Sequence, residues 1–145
     1  MCSSDLERAT LFHLESSHLA EMLAERAYVD GRNVVWDATM ADEGNTRRRM
    51  NDLRAHGYGV DGVFVHVPVQ TSISRIRARY REAQRQWMQD HGMGGRPVPE
   101  HLVLQSERPG GRSANLEVFE RLQPEFDRWT LYDNAGMAPR LISRS

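Results

Sequence analysis

The 145 residues have the length of one domain with a single sizeable core. Hydrophobic residues make up 39% of the chain and charged residues 27%, which excludes a disordered or collagen-like protein. The formal charge of −1 arises from 19 basic and 20 acidic residues, so no bulk positive field favours nucleic acid or an anionic membrane as a partner. All 19 basic residues are arginines, which excludes lysine chemistry within these residues.

The cysteine content and the hydropathy pattern bear on the cellular compartment in which the protein is expected. Cys2 is the single cysteine, so the chain cannot build a disulfide framework of its own. No apolar run approaches the roughly 20 residues that span a bilayer, and the first residues lack the pattern of a signal peptide. We therefore expect a cytoplasmic protein.

The first six residues fit none of the elements that follow them. Their sequence can be back-translated as GTG TGC TCT TCC GAT CTN, the end of a common short-read sequencing adapter. We therefore expect residues 1–6 to be an assembly scar, residues 7–145 to be the domain, and the native start to lie further upstream. An ordinary polar N-terminus is the alternative.

Hydrophobic periodicity predicts helices alternating with short strands over the first part of the chain. The predicted elements are a helix at about 17–28, a buried strand at 33–36, a helix at about 42–56 that ends at Gly57, a strand at 62–67 and a basic helix at about 71–89.

The second part of the chain repeats this alternation after a Gly- and Pro-rich loop at 90–99, which we expect to be mobile. The predicted elements are a short helix at about 100–106, a turn at 109–111, a helix at about 115–126, a strand at 129–132 and an edge strand at 140–142. This order predicts an α/β fold with part of a doubly wound parallel sheet.

Carboxylates near predicted strand ends are the first candidate site residues, because parallel sheets bind ligands outside the carboxyl ends of their strands. Asp37 follows the strand at 33–36, with Thr39 beside it. A carboxylate there can bind Mg²⁺ or accept a substrate hydroxyl, whereas a turn or helix cap is the alternative role. Glu15 is a candidate second carboxylate on the same rim, or else a solvated helix residue.

Arginines on the basic helix and the following loop are the second candidate set. Arg75 and Arg79 are one helical turn apart, and Arg96 lies in the Gly-rich loop. Guanidinium groups match phosphate oxygens bidentately, so these residues could close over a nucleotide and stabilise charge during phosphoryl transfer. The alternative is a solvated face in which Glu82 pairs with Arg79 or Arg85.

A set of short motifs follows one order along residues 13–143. The motifs are His13-Leu14-Glu15-Ser16-Ser17, Asn33-Val34-Val35-Trp36-Asp37-Ala38-Thr39-Met40, Gly57-Tyr58, Phe64-Val65-His66-Val67-Pro68-Val69, Arg79-Tyr80, Gly95-Arg96-Pro97-Val98-Pro99, Asn115 and Tyr132-Asp133-Asn134. In their order and spacing they resemble the zeta toxin family, the P-loop kinases that phosphorylate UDP-N-acetylglucosamine.

The resemblance implies an ATP- and Mg²⁺-dependent kinase with a sugar-nucleotide substrate and a possible antitoxin partner. It implies that Asp37 and Thr39 contact the sugar nucleotide, with Ala38 in place of the family's usual glycine. Glu15 resembles a further substrate-side carboxylate.

By the same resemblance, Arg79 and Arg96 engage the ATP phosphates and act in catalysis, and Arg75 assists. His66 and Gln70 stand where the family would have acidic residues.

These residues lack one motif that the family requires, the phosphate-binding loop with its lysine. A P-loop kinase needs G-x-x-x-x-G-K-[ST], and these residues contain neither that loop nor a lysine. We therefore expect a carboxyl-terminal portion of a P-loop kinase that lacks the first strand, the phosphate-binding loop and the catalytic aspartate, and that is nearly inactive alone. The alternative is a non-catalytic binding module derived from such a kinase.

Overall fold

The computed structural model describes the backbone of residues 3–90 and 98–145, and the side chains of residues 15–89 and 98–145. The helices in these ranges are α1 (Ser3–Val29), α2 (Glu43–Ala55), α3 (Val69–Asp90), α4 (Glu100–Leu104) and α5 (Ala114–Leu122). The strands are β1 (Asp61–His66), β2 (Glu107–Arg108), β3 (Arg112–Ser113), β4 (Arg128–Asp133) and β5 (Arg140–Arg144).

The main sheet has three strands in the order β1-β4-β5. β1 and β4 are parallel, from the pair Asp61 and Arg128 to the pair His66 and Asp133. β5 runs antiparallel to β4, so the sheet is mixed and the protein is a mixed α/β structure. β2 and β3 form a separate antiparallel ribbon around a 3₁₀ turn at Pro109–Gly111.

The core lies between one face of the main sheet and α5. Phe119 is fully buried on α5 and stacks on Phe64 of β1 with ring centroids 5.0 Å apart. Its ring also meets Trp129 of β4 edge-on at 6.2 Å. Gly62 of β1 is required here, because a Cβ at this position would lie 2.7 Å from the Phe126 ring.

Arginine–carboxylate pairs connect α2 to α5 and to the 3₁₀ turn that follows α5. Arg121 of α5 donates a hydrogen bond of 2.8 Å to Glu43, and Arg47 donates one of 2.7 Å to Glu125. The hydrogen bond from Arg121 is the main reason that the pKa of Glu43 lies below its usual value. These contacts fix the start of α2 relative to α5 and the turn that follows it.

Most predicted elements are confirmed. The helix at 42–56 is α2, the strand at 62–67 is β1, the basic helix is α3, and the strands at 129–132 and 140–142 are β4 and β5. The helix predicted at 115–126 ends earlier, at Leu122, and a 3₁₀ turn containing Pro124 follows it. Residues 91–97 of the predicted loop lie outside the described residues.

One prediction for the first part of the chain was wrong, and one was confirmed with a different extent. Residues 33–36 form no strand, because no neighbouring strand in the described chain satisfies their backbone groups, and Val35 is 93% exposed. The helix predicted at 17–28 is confirmed as part of the longer α1, whose apolar residues Leu19, Met22 and Leu23 are exposed while Ala24 is buried.

The predicted parallel sheet is correct only for the β1–β4 pair, since β5 is antiparallel.

Candidate functional site

The segment that carries Asp37 and Thr39 is held at two points. The Asn115 side-chain amide donates a hydrogen bond of 2.7 Å to the Thr39 carbonyl, across 76 residues of sequence. The next residue, Met40, packs against the core cluster around Phe119. Met40 adopts a φ of 53°, in the left-handed region that non-glycine residues rarely occupy. Local strain of this kind is often found at functional sites.

The start of α2 fixes the far end of this segment. The Asp42 carboxylate accepts a hydrogen bond of 2.9 Å from the Asn45 backbone N–H and caps the helix. The helix-capping role that was the alternative for Asp37 is therefore performed by Asp42. Asp37 is exposed and remains available to a ligand.

Asp37 and Thr39 line a cavity of about 750 Å³ beside β1. This volume is in the range of small-molecule sites. The polar lining comes from four elements of the fold: the 37–39 segment, α3, the residues after α4, and the start of α5. The lining residues are Asp37, Ala38, Thr39, Ala41, Val63, Phe64, Val65, Val67, Val69, Ser72, Leu102, Val103, Ser106, Ser113 and Asn115.

The carboxyl ends of β1 and β4 bring His66 opposite Asp133 in the sheet register. The Nδ1 atom of His66 is buried and has no hydrogen-bond partner among the described residues. Burial lowers the pKa of His66, and the negative charge of Asp133 partly opposes that shift. The imidazole is therefore held in its neutral form at neutral pH.

The arginines of α3 have different partners. Arg77 donates two hydrogen bonds of 2.7 and 2.6 Å to Glu100 and so joins α3 to α4. Arg75 donates to the Gly136 carbonyl at 2.6 Å, in the turn between β4 and β5. Arg85 pairs with Glu82 at 3.1 Å, as one alternative predicted. Arg79 is exposed and makes no ion pair with the part of the chain that the structure describes.

The structure brings together only part of the predicted site. Asp37 and Thr39 share the cavity, whereas Glu15 is an exposed residue of α1 and does not line it. Arg75 and Arg79 lie on α3 and are also absent from its lining. Arg96 lies outside the described residues.

Sequence reasoning gave no role to Asn115, Ser72 or Ser113, all of which line the cavity. Asn115 was noted as part of the ordered motifs, but nothing in its local sequence indicates a contact with Thr39. Ser72 and Ser113 carry no local signal for the cavity.

A second cavity, of about 300 Å³, lies between α1 and α2. Trp36 donates a hydrogen bond of 2.9 Å to the Tyr28 hydroxyl, and the Arg49 guanidinium lies 4.3 Å from the Trp36 ring centroid. Glu21 and Asp52 are among its carboxylates. Trp36 belongs to the segment predicted to be a buried strand at 33–36, but it is only half-buried and lines this cavity.

The donors of the larger cavity suit a magnesium ion that is bound chiefly by substrate phosphates. Mg²⁺ in such sites uses one or two carboxylates together with phosphate oxygens and water. Asp37 supplies one carboxylate. The described residues contain no group of three His, Cys, Asp or Glu side chains that could hold a metal ion by themselves.

An α/β structure with a cavity of apolar and polar side chains beside a parallel strand pair belongs to the class in which strand ends bind small ligands. The protein-family model for zeta toxin matches residues 2–140, and the chain therefore belongs to the zeta toxin family. Members of this family are P-loop kinase-like toxins that generally use ATP and Mg²⁺. No curated protein and no solved structure matches the chain.

No helix in the described ranges is long and apolar enough to cross a membrane.

Proposed function

We propose that this chain forms the acceptor-substrate side of a zeta-toxin-type kinase. In the active protein, the γ-phosphate of Mg-ATP is transferred to a hydroxyl of UDP-N-acetylglucosamine or a related sugar nucleotide. The observation that carries the proposal is the cavity in which Asp37 and Thr39 lie side by side, in a chain that the family model matches over residues 2–140.

The substrate contacts follow from the chemistry of this cavity. Asp37 accepts a hydrogen bond from a substrate hydroxyl or lies next to the Mg²⁺ ion, and the Thr39 hydroxyl supplies a second oxygen. Ser72 and Asn115 add neutral hydrogen-bonding groups. Glu15 is assigned to the substrate side by the family resemblance alone.

The proposed phosphate contacts come from arginines. Arg79 and Arg96 stabilise the charge that develops on the transferred phosphoryl group, and Arg75 assists in holding ATP. The exposure of Arg79, without an ion-pair partner in the described chain, leaves its guanidinium available for this role. ATP and Mg²⁺ supply the phosphoryl group and the neutralising cation.

Phosphoryl transfer of this kind also needs a phosphate-binding loop with a lysine. The 145 residues contain no such loop and no lysine. We propose that the loop and its strand belong to the active protein outside these residues, that residues 1–6 are an assembly scar, and that β1-β4-β5 is part of a doubly wound P-loop kinase sheet. Residues 7–145 then form the kinase portion and are nearly inactive by themselves.

The lack of a phosphate-binding loop and of lysine in these residues favours a second candidate function, that of a non-catalytic binding module. Long-read sequencing of about 150 nucleotides upstream of the Leu6 codon separates the two candidates. An in-frame G-x-x-x-x-G-K-[ST] supports the kinase, whereas a promoter and a genuine start at Met1 support the module. An antitoxin protein is a proposed partner under the kinase reading.

Calorimetric titration with UDP-N-acetylglucosamine tests the substrate site directly. We expect Asp37→Asn to weaken binding by about tenfold, because a hydrogen bond to a charged group contributes roughly 1.5 kcal/mol. Asp52→Asn is the matched control, since Asp52 lines the second cavity. Equal affinity in the wild type and Asp37→Asn would refute the assignment of Asp37.

A further inference from the structure

The chain around Asp37 has few attachments to the rest of the protein. Residues 32–42 form neither helix nor strand. Within the described chain, residues 33–38 make a single hydrogen bond, which the Trp36 indole N–H donates to the Tyr28 hydroxyl at 2.9 Å. Because the backbone of these residues has no such bond, the position of Asp37 depends on the side chains next to it.

Trp36 is attached to two helices. Its hydrogen bond joins it to Tyr28, in the last turn of α1. On α2, the Arg49 guanidinium lies 4.3 Å from the centroid of the Trp36 ring, which is within reach of cation–π attraction. Arg49 is half-buried and forms no ion pair with the described residues, so the Trp36 ring is its main partner. We call Trp36, Tyr28 and Arg49 the Trp36 cluster.

Tyr28 is held in turn by aromatic neighbours that follow α2. Its ring meets the Tyr58 ring edge-on at 5.7 Å and lies 5.2 Å from the His56 ring. The Tyr58 hydroxyl donates a hydrogen bond of 2.8 Å to the Arg32 carbonyl. These contacts join the ends of α1 and α2 to the start of the irregular segment, so the indole binds to a packed base.

Trp36 and Asp37 line different cavities, although they are adjacent in the chain. Trp36 lines the second cavity, and Asp37 lines the larger one. Because adjacent Cα atoms are about 3.8 Å apart across a trans peptide, an anchored Trp36 restricts the space that Asp37 can occupy. The Asn115 amide holds the Thr39 carbonyl on the other side. Asp37 therefore lies between two anchors.

From these contacts we propose that Trp36 is a positioning residue for Asp37. Held by Tyr28 and Arg49, it keeps the Asp37 carboxylate at the larger cavity without lining that cavity itself. A carboxylate that is ordered before binding loses less conformational entropy when a ligand arrives. The effect on sugar-nucleotide affinity rests on the proposed function, whereas the restraint on Asp37 does not.

Backbone ¹⁵N relaxation of the ligand-free chain tests the restraint. Trp36→Phe keeps an aromatic ring but removes the indole N–H, and we expect the order parameters of the Asp37 and Ala38 amides to fall from about 0.85 toward 0.6. Trp87→Phe is the matched control, since Trp87 is 50% exposed on α3. Unchanged order parameters at Asp37 in Trp36→Phe would overturn the proposal.

A second variant removes the same hydrogen bond from its acceptor side. Tyr28→Phe keeps both rings and deletes only the hydroxyl that accepts from Trp36. We expect it to mobilise Asp37 as much as Trp36→Phe does, and the double variant to add nothing further, because both changes break one bond. Additive effects of the two substitutions would contradict the assignment of this hydrogen bond.

A double-mutant cycle with UDP-N-acetylglucosamine tests whether Trp36 acts through Asp37. Trp36→Phe should weaken binding about threefold in the wild-type background. In the Asp37→Asn background the same substitution should have little effect, since the group that it positions is already altered. A threefold loss in both backgrounds, or increased mobility of Asp37 with unchanged affinity, would refute the positioning role.

Conservative changes at Arg49 provide the rescue test. Arg49→Lys retains a cation over the Trp36 ring and should keep most of the affinity, whereas Arg49→Met should weaken binding about twofold. Equal affinities of these two variants would exclude the cation–π contact from the mechanism.

The outcomes separate this proposal from the proposed function. If Trp36→Phe mobilises Asp37 but the wild type binds no sugar nucleotide, the restraint stands and the proposed function fails. If the wild type binds the sugar nucleotide and Trp36→Phe changes neither mobility nor affinity, the positioning role alone fails.

Discussion

Replacing Asn115 with alanine tests how the candidate site is held together. The substitution removes the amide that donates to the Thr39 carbonyl at 2.7 Å. A hydrogen bond of this type contributes about 0.5–1.5 kcal/mol net. The left-handed backbone at Met40, with φ of 53°, opposes it with a cost of about 1–2 kcal/mol.

Without the Asn115 amide, the strain at Met40 is no longer offset by this hydrogen bond and is opposed by the packing of Met40 against the core. We expect the free energy of unfolding to fall by about 1 kcal/mol. We expect the segment at 37–41 to relax, and any ligand bound through Asp37 and Thr39 to bind about fivefold more weakly.

The assay combines urea denaturation with amide hydrogen exchange. Asn115→Ala should speed exchange at residues 38–41 more than in the core strands β1 and β4. Asn51→Ala on α2 is the matched control, since Asn51 is exposed. Unchanged exchange at 38–41 in Asn115→Ala would refute the role assigned to this side chain.

Two further predictions concern the core and the buried histidine. Phe119→Ala should lower the free energy of unfolding by about 3–5 kcal/mol in urea denaturation, because Phe119 is fully buried, and Phe119→Leu should cost less; equal losses would contradict this packing. Burial lowers the pKa of His66, so the unfolded chain binds a proton that the folded chain does not, and the free energy of unfolding should fall as the pH drops below 6.5. His66→Gln should lack this part of the slope between pH 7.5 and 5.5, and an identical slope in both proteins would rule the mechanism out.

The elements that the sequence predicted correctly are those whose signals are local. Met50 and Leu53 lie one turn apart on α2, and Gly57 follows its end with a φ of 81°. β1 and β4 are runs of apolar and aromatic residues bounded by turns. Their pairing as parallel strands follows from the helices between them.

The one predicted element that was wrong, the strand at 33–36, depends on a neighbour that local sequence does not specify. The run at 33–36 has strand composition, yet a strand requires an adjacent strand for its backbone hydrogen bonds. The helix predicted at 17–28 does form within α1, although its apolar residue Leu23 is 70% exposed. The composition of residues 33–36 favours a strand, but the tertiary structure supplies no strand for them to pair with among the described residues.

In the candidate site, too, the residues that are adjacent in sequence were predicted, and the contact between distant residues was not. Asp37 and Thr39 are adjacent in the chain, so the motif that contains them identified both. The contact from Asn115 to Thr39 joins residues 76 positions apart, which no local pattern predicts. Glu15 was grouped with Asp37 by its place among the motifs, but its position on α1 leaves it outside the cavity.

We propose that the cavity beside β1 binds the sugar nucleotide that accepts phosphate. The most direct test is an NMR titration of the ¹⁵N-labelled chain with UDP-N-acetylglucosamine. We expect saturable shifts of the Thr39, Ser72 and Asn115 amides, and their loss in Asp37→Asn. Shifts confined to the second cavity around Trp36, or no shifts at millimolar ligand, would contradict it.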